Sequence, residues 1–415
     1  MAGMSLEEYV NAYYGGLLGI SKEYGISKAD DIMDTGKDDY FNTMYGAKVF
    51  SQLNNESSVF KLLPKQPWNS SGWRILYQRS TAAAASASPQ LGTGGVGEGL
   101  AFPDTDTPDI AELSADMKEV VTAWDITTKA STLSKADDGL GDIEGFLKEN
   151  AATDHAYYID QMLMKDHATL PSNNFESLDR LVGAYAETLT RTGSGSDVDA
   201  GDLDPYGATG TAASAGGLSR DEAASDWLDS QVSMGSITSN LAVARALSLD
   251  LLDTVIGDAL EAGAKYENLI LVTGYDTLEV IKQKINTASN ATWRMMMDGT
   301  QAGKNVGGVK SMPGANLDTR VGYYDSIPIF VTQHCTKAAL AGSGTSGIDT
   351  ALSNIFLLDL ENIHFRVAVP TTYVANEDLG VTQKLAREYA FITGGEVIMT
   401  RFNTHGKVRD LEIPA

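Results

Sequence analysis

The sequence predicts an α+β fold organised around one long helix, and three observations carry that expectation. Asp142 is an N-cap candidate for a run over 143–166 that holds no proline and no glycine beyond Gly145. Residues 248–285 read as helix, buried strand and helix in succession. Residues 80–117 are rich in small residues and poor in apolar ones, and a segment of that length without a core of its own marks a functional loop.

Residues 1–59 are weakly periodic. A short helix over 6–18 is weakened by Gly15-Gly16, and the acids Asp30, Asp31, Asp34, Asp38 and Asp39 read as solvated. This is an arm that needs neighbours to order it. Phe60-Lys61-Leu62-Leu63-Pro64 and Trp73-Arg74-Ile75-Leu76-Tyr77-Gln78-Arg79 read as strands. The loop 80–117 contains no Lys or Arg, so its glycines at 92–99 do not make a phosphate cradle. Residues 118–129 return as a strand, the other leg of a hairpin begun near Trp73.

In the long helix, Ile143, Phe146, Leu147, Ala151 and Tyr157 lie on one side, and Ala152, Ala156, Ile159 and Leu163 on the other. Apolar residues on two faces predict a helix sandwiched between layers. A shorter helix is expected over 175–189, followed by a Gly/Ser/Ala/Asp-rich insertion over 192–217. Ser248 caps the next helix, whose face is Leu252, Val255, Ile256 and Leu260 and whose stop is Gly263. Leu269-Ile270-Leu271-Val272 is a buried strand, and 277–285 a helix facing in with Leu278, Ile281 and Ile285. Strands follow at 327–331, 355–358 and 364–369, and the chain ends with two more at 389–392 and 397–402.

The chain of 415 residues carries 55 acidic and 31 basic residues, a net charge of −24, which opposes tight binding to a phosphate backbone. The excess of Asp and the scarcity of Lys suggest a protein at home in high salt, where screening suppresses self-repulsion. No stretch approaches the roughly 18 apolar residues that span a bilayer, and no signal peptide is visible. Cys335 is the single cysteine, which fits a reducing compartment. Its neighbour His334 invites a nucleophile reading, but the pair sits in an apolar strand-like run, Ile327-Pro328-Ile329-Phe330-Val331, in which adjacent side chains point to opposite faces. His155, His167, His364 and His405 form no metal spacing, and no hydrolase, metalloprotease or phosphate-loop motif occurs. No catalytic residue and no cofactor is therefore expected. Asp197, Asp199, Asp202 and Asp204 alternate as weak metal candidates, without the calcium-loop spacing. Triplets at Asn55, Asn69 and Asn290 match the glycosylation pattern and are read as chance.

The order of parts resembles the major capsid proteins of tailed viruses, the Hong Kong ninety-seven type. The resemblance rests on the long loop before a strand, the helix at 142–166 and the unit around Asn268-Leu269-Ile270-Leu271-Val272-Thr273-Gly274. It continues through Tyr324-Asp325-Ser326-Ile327-Pro328-Ile329-Phe330-Val331, which lacks the family's glycine, and Asn354-Ile355-Phe356-Leu357-Leu358-Asp359-Leu360, to the closing strands led by Arg387-Glu388-Tyr389. No single motif is specific; the order and spacing are.

That resemblance implies an N-terminal arm over 1–59 and a peripheral domain over 60–79 and 118–166 containing the spine helix and long strands. It implies an extended loop over 80–117, an axial α/β domain over 167–354 and return strands of the peripheral domain over 355–415. The loop would lie over a neighbouring subunit, with Leu91, Val96, Leu100, Phe102 and Ile110 as contact candidates. It further implies homo-oligomeric hexamers and pentamers in a virion, portal and possible cement or scaffold proteins as partners, a genome packaged without specific binding, and no membrane. Assembly is expected in the host cytoplasm, and the acidic composition adds the expectation of a halophilic archaeal host. Lysine crosslinking through the loop is not expected, since the loop has none. A fused scaffold domain is not expected either, because few residues precede the first strand. An encapsulin-like compartment shell shares the fold, though such shells are usually shorter and lack the large insertions; a soluble α/β enzyme is the reading from another class.

Overall fold

The computed structural model describes residues 59–78, 108–136, 143–166, 173–187, 205–206, 220, 226–235, 237–238, 241–287, 322–337, 351–376 and 386–413. In chain order its strands are β1 (Lys65–Pro67), β2 (Gly72–Gln78), β3 (Asp109–Ser114), β4 (Lys118–Thr127), β5 (Gln231–Ser233), β6 (Ile237–Thr238), β7 (Leu241–Ala242), β8 (Leu269–Thr273), β9 (Gly322–Tyr324), β10 (Ile327–Val331), β11 (Ile355–Asp359), β12 (Ile363–Asn376), β13 (Ala386–Met399) and β14 (Gly406–Val408). The helices are α1 (Val59–Leu62), α2 (Thr128–Ala136), α3 (Ile143–Met164), α4 (Leu178–Leu181), α5 (Leu249–Glu261) and α6 (Tyr275–Thr287).

The described residues divide between two compact units, one of residues 121–154 and 372–392, the other of 54–120, 155–371 and 393–415. The second unit is built on a six-stranded sheet of order β5-β14-β11-β8-β10-β9. Its middle strand, β8, pairs in parallel with β10 (Leu271 opposite Ile329) and antiparallel with β11 (Leu271 opposite Leu357). Every residue of β8, β10 and β11 is buried. Successive side chains alternate between the sheet's two faces. Ile270, Val272, Phe330, Phe356 and Leu358 join one core, while Leu269, Leu271, Ile329, Ile355 and Leu357 join the other.

The second of these cores is closed by α5 and α6. On α5, Leu252, Val255, Ile256 and Ala259 recur at helical spacing and are buried. Gly263 ends that turn with φ +97, a conformation that only glycine adopts without strain. The helix lies so close to β14 that a Cβ on Gly406 would stand 2.4 Å from Cγ1 of Val255. The other core receives the last turns of α3 through Ile159, Met162, Leu163 and Met164. In the first unit, Ile126, Ala130, Ile143 and Tyr389 form a small core against which Trp124 and Leu147 pack. Glu144 accepts there from Ser131 (2.5 Å) and Arg387 (3.2 Å). A separate four-stranded sheet has the order β1-β12-β13-β4.

Several expectations are corrected. Residues 59–62 are helical, because the buried Asp160 carboxylate, a hundred residues away, accepts from the amides of Val59 (2.7 Å) and Phe60 (2.9 Å) as a helix cap would. The hairpin partner of Trp73 is β3, which lies within the span expected as loop, and not β4. The expected helix over 175–189 is only α4 and one 3₁₀ turn, Tyr185–Glu187. The buried guanidinium of Arg220 takes the carbonyls of Arg180 and Leu181, both at 2.8 Å, which a continuing helix would have used. The two closing strands are one, β13, running through Gly394-Gly395. On α3 the two-sided burial is confined to the C-terminal turns, and Ala152 is exposed. Ser248 stands at the N-cap of α5, though its side chain makes no capping bond. His334 and Cys335 follow the end of β10, in and just past a turn. The Asp-rich loop and most of the arm and extended loop lie outside the described residues.

Candidate functional site

The residues from which the long loop springs are the best-defined candidate surface. β2 and β3 pair antiparallel, so the chain between Gln78 and Asp109 leaves from and returns to one hairpin. Alternation gives the hairpin two unlike faces. Trp73 lies opposite Leu113 and Ile75 opposite Ala111, and Leu113 is fully buried while Trp73 and Ile75 pack on the core. Trp73 meets the ring of Tyr206 edge-on at 5.1 Å. On the other face Arg74 lies opposite Glu112 and Leu76 opposite Ile110. Leu76 is 57% and Ile110 58% exposed, a directly paired apolar couple left in solvent. Full burial of such a side chain stabilises by about 1.5–3 kcal/mol, so this face is an unclaimed contact. The Arg74–Glu112 pair, 3.8 Å apart and exposed, adds little.

Beside the hairpin lies a groove of about 500 Å³ lined by β2, Trp227, Asn362 and the segment after β13. Tyr77 stacks on Trp227 at 4.9 Å to form one wall. Arg74 and Arg401 are the charged residues of its lining.

The second unit also holds a buried ionic cluster that sequence reasoning missed. The Lys407 ammonium lies 2.8 Å from Oε1 of Glu187 and 3.2 Å from Oδ1 of Asp179. Arg409 donates to Oε2 of Glu187 (2.6 Å) and to Oδ1 of Asp410 (3.0 Å), whose Oδ2 accepts from the amide of Gly235 (3.0 Å). The signal was the alternation Lys407-Val408-Arg409, which puts both cations on one face of β14 and Val408 in the opposite core. Glu396 is also buried, accepting from the amides of Glu176 (2.7 Å) and Val397 (2.9 Å), with Lys118 3.0 Å away. Burial raises its pKa to about 7, against the pull of Lys118.

The residues that suggested nucleophilic chemistry are held otherwise. Cys335 is buried, its thiol donates to the carbonyl of Asn354 (3.1 Å), and burial, reinforced by Asp276, pushes its pKa well up, so the thiolate is disfavoured. His334 packs edge-on against Tyr157 at 4.4 Å. His155 bonds Oγ1 of Thr393 at 2.7 Å. His405 accepts at Nδ1 from the amide of Asp359 (3.2 Å), and burial lowers its pKa to about 3; burial, then Arg366, lowers His364 to about 4. Among the described residues no cluster of His, Cys, Asp or Glu could hold a metal, and no helix is long and apolar enough to cross a membrane. Asp197, Asp199, Asp202 and Asp204 lie outside the described residues, as do Leu91, Val96, Leu100 and Phe102. Of the contact candidates, Ile110 is described, and it stands on the exposed hairpin face.

No protein-family model and no curated protein sequence matches the chain. Solved structures do resemble it. The cyanophage A-1(L) capsid asymmetric unit is similar at a TM-score of 0.56 with 14% identity, over 88% of this chain and 95% of that one. The capsid of the native GTA particle is similar at 0.52 with 12% identity, over 89% and 93%. The holo-SrpI encapsulin complex from Synechococcus elongatus PCC 7942 reaches 0.45 with 10% identity, over 92% and 97%, too low to weigh. At such identities the likeness is one of architecture: this is an α+β chain with the Hong Kong ninety-seven type fold of tailed-phage major capsid proteins.

Proposed function

We propose that this chain is a shell-forming structural protein, the major capsid subunit of a tailed double-stranded DNA virus, assembling into hexamers and pentamers of an icosahedral head. The observation that carries the reading is the extent of the likeness, 88% of this chain against 95% of a cyanophage capsid chain. An exposed apolar pair at the root of the long loop supports it, since such a pair is expected to be covered by a second copy. In this reading the loop 80–117 lies over a neighbour, the spine helix and long strands form the peripheral domain, and residues 167–354 form the axial domain. The charge of −24 suits a container whose genome slides against the wall, and a host in high salt. A portal, and a separate scaffold or cement protein, complete the set of partners.

Negative-stain electron microscopy of the purified chain at low and at multimolar salt tests this. Closed icosahedral shells, or free hexamers and pentamers, are expected, with shells favoured by salt. A uniform folded monomer or dimer at both salts overturns the reading. Particles from the native source that hold protein cargo and no genome would instead identify a compartment shell.

A further inference from the structure

The charged lining of the groove beside the hairpin is opposite in sign to the net charge of the chain. Its charged lining residues are both arginines, in a chain of net charge −24. Arg74 is 76% exposed along its side chain and faces only the distant Glu112 carboxylate. Arg401 gives Nε to Oδ1 of Asn403 (3.1 Å) and Nη2 to the carbonyl of Ala262, which leaves further donors of its five. The Tyr77–Trp227 stack supplies an apolar wall. A matching occupant brings two carboxylates and an aromatic or apolar group in a short stretch of chain.

The chain itself carries such a stretch. Residues 197–204 hold four aspartates and no aromatic; residues 102–109 hold one, Phe102. Only in the arm do two adjacent acids run directly into two adjacent aromatics, Asp38-Asp39-Tyr40-Phe41. From Phe41 to Val59 an extended chain spans up to about 60 Å, a tether long enough to search widely around its point of attachment. We propose that this groove is the docking site of Asp38-Asp39-Tyr40-Phe41, the carboxylates meeting Arg74 and Arg401 and the rings packing against the Tyr77–Trp227 stack. The proposal is independent of the shell reading, because it concerns the unassembled chain.

Disulfide trapping in the full chain tests it, with Asn42→Cys and Leu76→Cys together; the native Cys335 is buried and stays out of the reaction. Mild oxidation at low salt is expected to give a crosslink on non-reducing gels, as a fast-migrating monomer or a covalent dimer. A control pairing Ser196→Cys with Leu76→Cys is expected to give none. Asp38→Asn with Asp39→Asn, or Arg74→Glu alone, is expected to slow the crosslink about tenfold, while Asp104→Asn with Asp106→Asn leaves it unchanged. Multimolar salt is expected to slow it as well, since exposed pairs are screened. No crosslink between 42 and 76, or a crosslink indifferent to Asp38, Asp39 and Arg74, overturns the proposal.

Discussion

The six-stranded sheet and the β2–β3 hairpin dispose of their side chains in opposite ways: charge is buried at the first and apolar surface exposed on the second. Against the sheet, Lys407 of β14, Glu187 and Asp410 are fully buried, and each charge faces a partner. On the hairpin, Leu76 and Ile110 pair across the strands and are more than half exposed. The sheet is finished within one chain, whereas a two-stranded ribbon with an apolar outer face is finished only by something else. The stability of the chain and the contact proposed for assembly therefore reside in different residues.

The largest effect separating the two regions is expected from Glu187→Ala. It leaves Lys407 and Arg409 buried without their shared carboxylate, and removal of one partner from a buried pair costs about 3–5 kcal/mol. Urea denaturation measures it; a loss below about 1 kcal/mol would show that the cluster is not sealed.

Next in size is the pH dependence of the interior. His405 has a folded pKa of about 3, below its unfolded value near 6.5, so folding is favoured while the ring is neutral. That contribution is complete above pH 6.5 and is lost as pH falls toward 3, by up to about 1.4 kcal/mol per unit. Glu396 acts in the other sense: with a folded pKa of about 7 against about 4.5 unfolded, it favours folding at low pH and loses that contribution as pH rises from 4.5 to 7. Denaturation midpoints against pH are expected to fall less steeply below 6.5 in His405→Gln, and to fall less between 4.5 and 7 in Glu396→Gln.

A smaller gain is expected from Ser326→Gly. Asp325 and Ser326 form the turn between β9 and β10 with φ of 45° and 68°, the mirror-image hairpin turn that favours glycine. Thermal denaturation is expected to show about 0.5–1 kcal/mol of added stability. The smallest change in stability, within about 0.5 kcal/mol, is expected for Leu76→Ser with Ile110→Ser, because solvent already reaches both side chains. The same pair is expected to raise the concentration needed for assembly at least tenfold, read by sedimentation. An unchanged assembly threshold would break the comparison.

The sheet was legible in the sequence because β8, β10 and β11 are short apolar runs bounded by turn residues, and the long helix because nothing breaks it. The hairpin was half legible: β2 is rich in aromatic and β-branched residues, but β3, Asp109-Ile110-Ala111-Glu112-Leu113-Ser114, carries two acids and looks like loop. Helix α1 depends on Asp160, and the shortness of α4 on Arg220, both distant contacts that no local pattern encodes. The burial of Lys407 and Arg409 has no local signature, because the carboxylates they share a cluster with, Asp179 and Glu187, lie some two hundred positions earlier.

Hydrogen exchange compared between dispersed and assembled protein tests the central claim most directly. Residues 72–78 and 109–114 are expected to gain protection on assembly, while 269–273, 327–331 and 355–359 are protected alike in both. A hairpin equally protected before and after, or a sheet that becomes protected only on assembly, would contradict it.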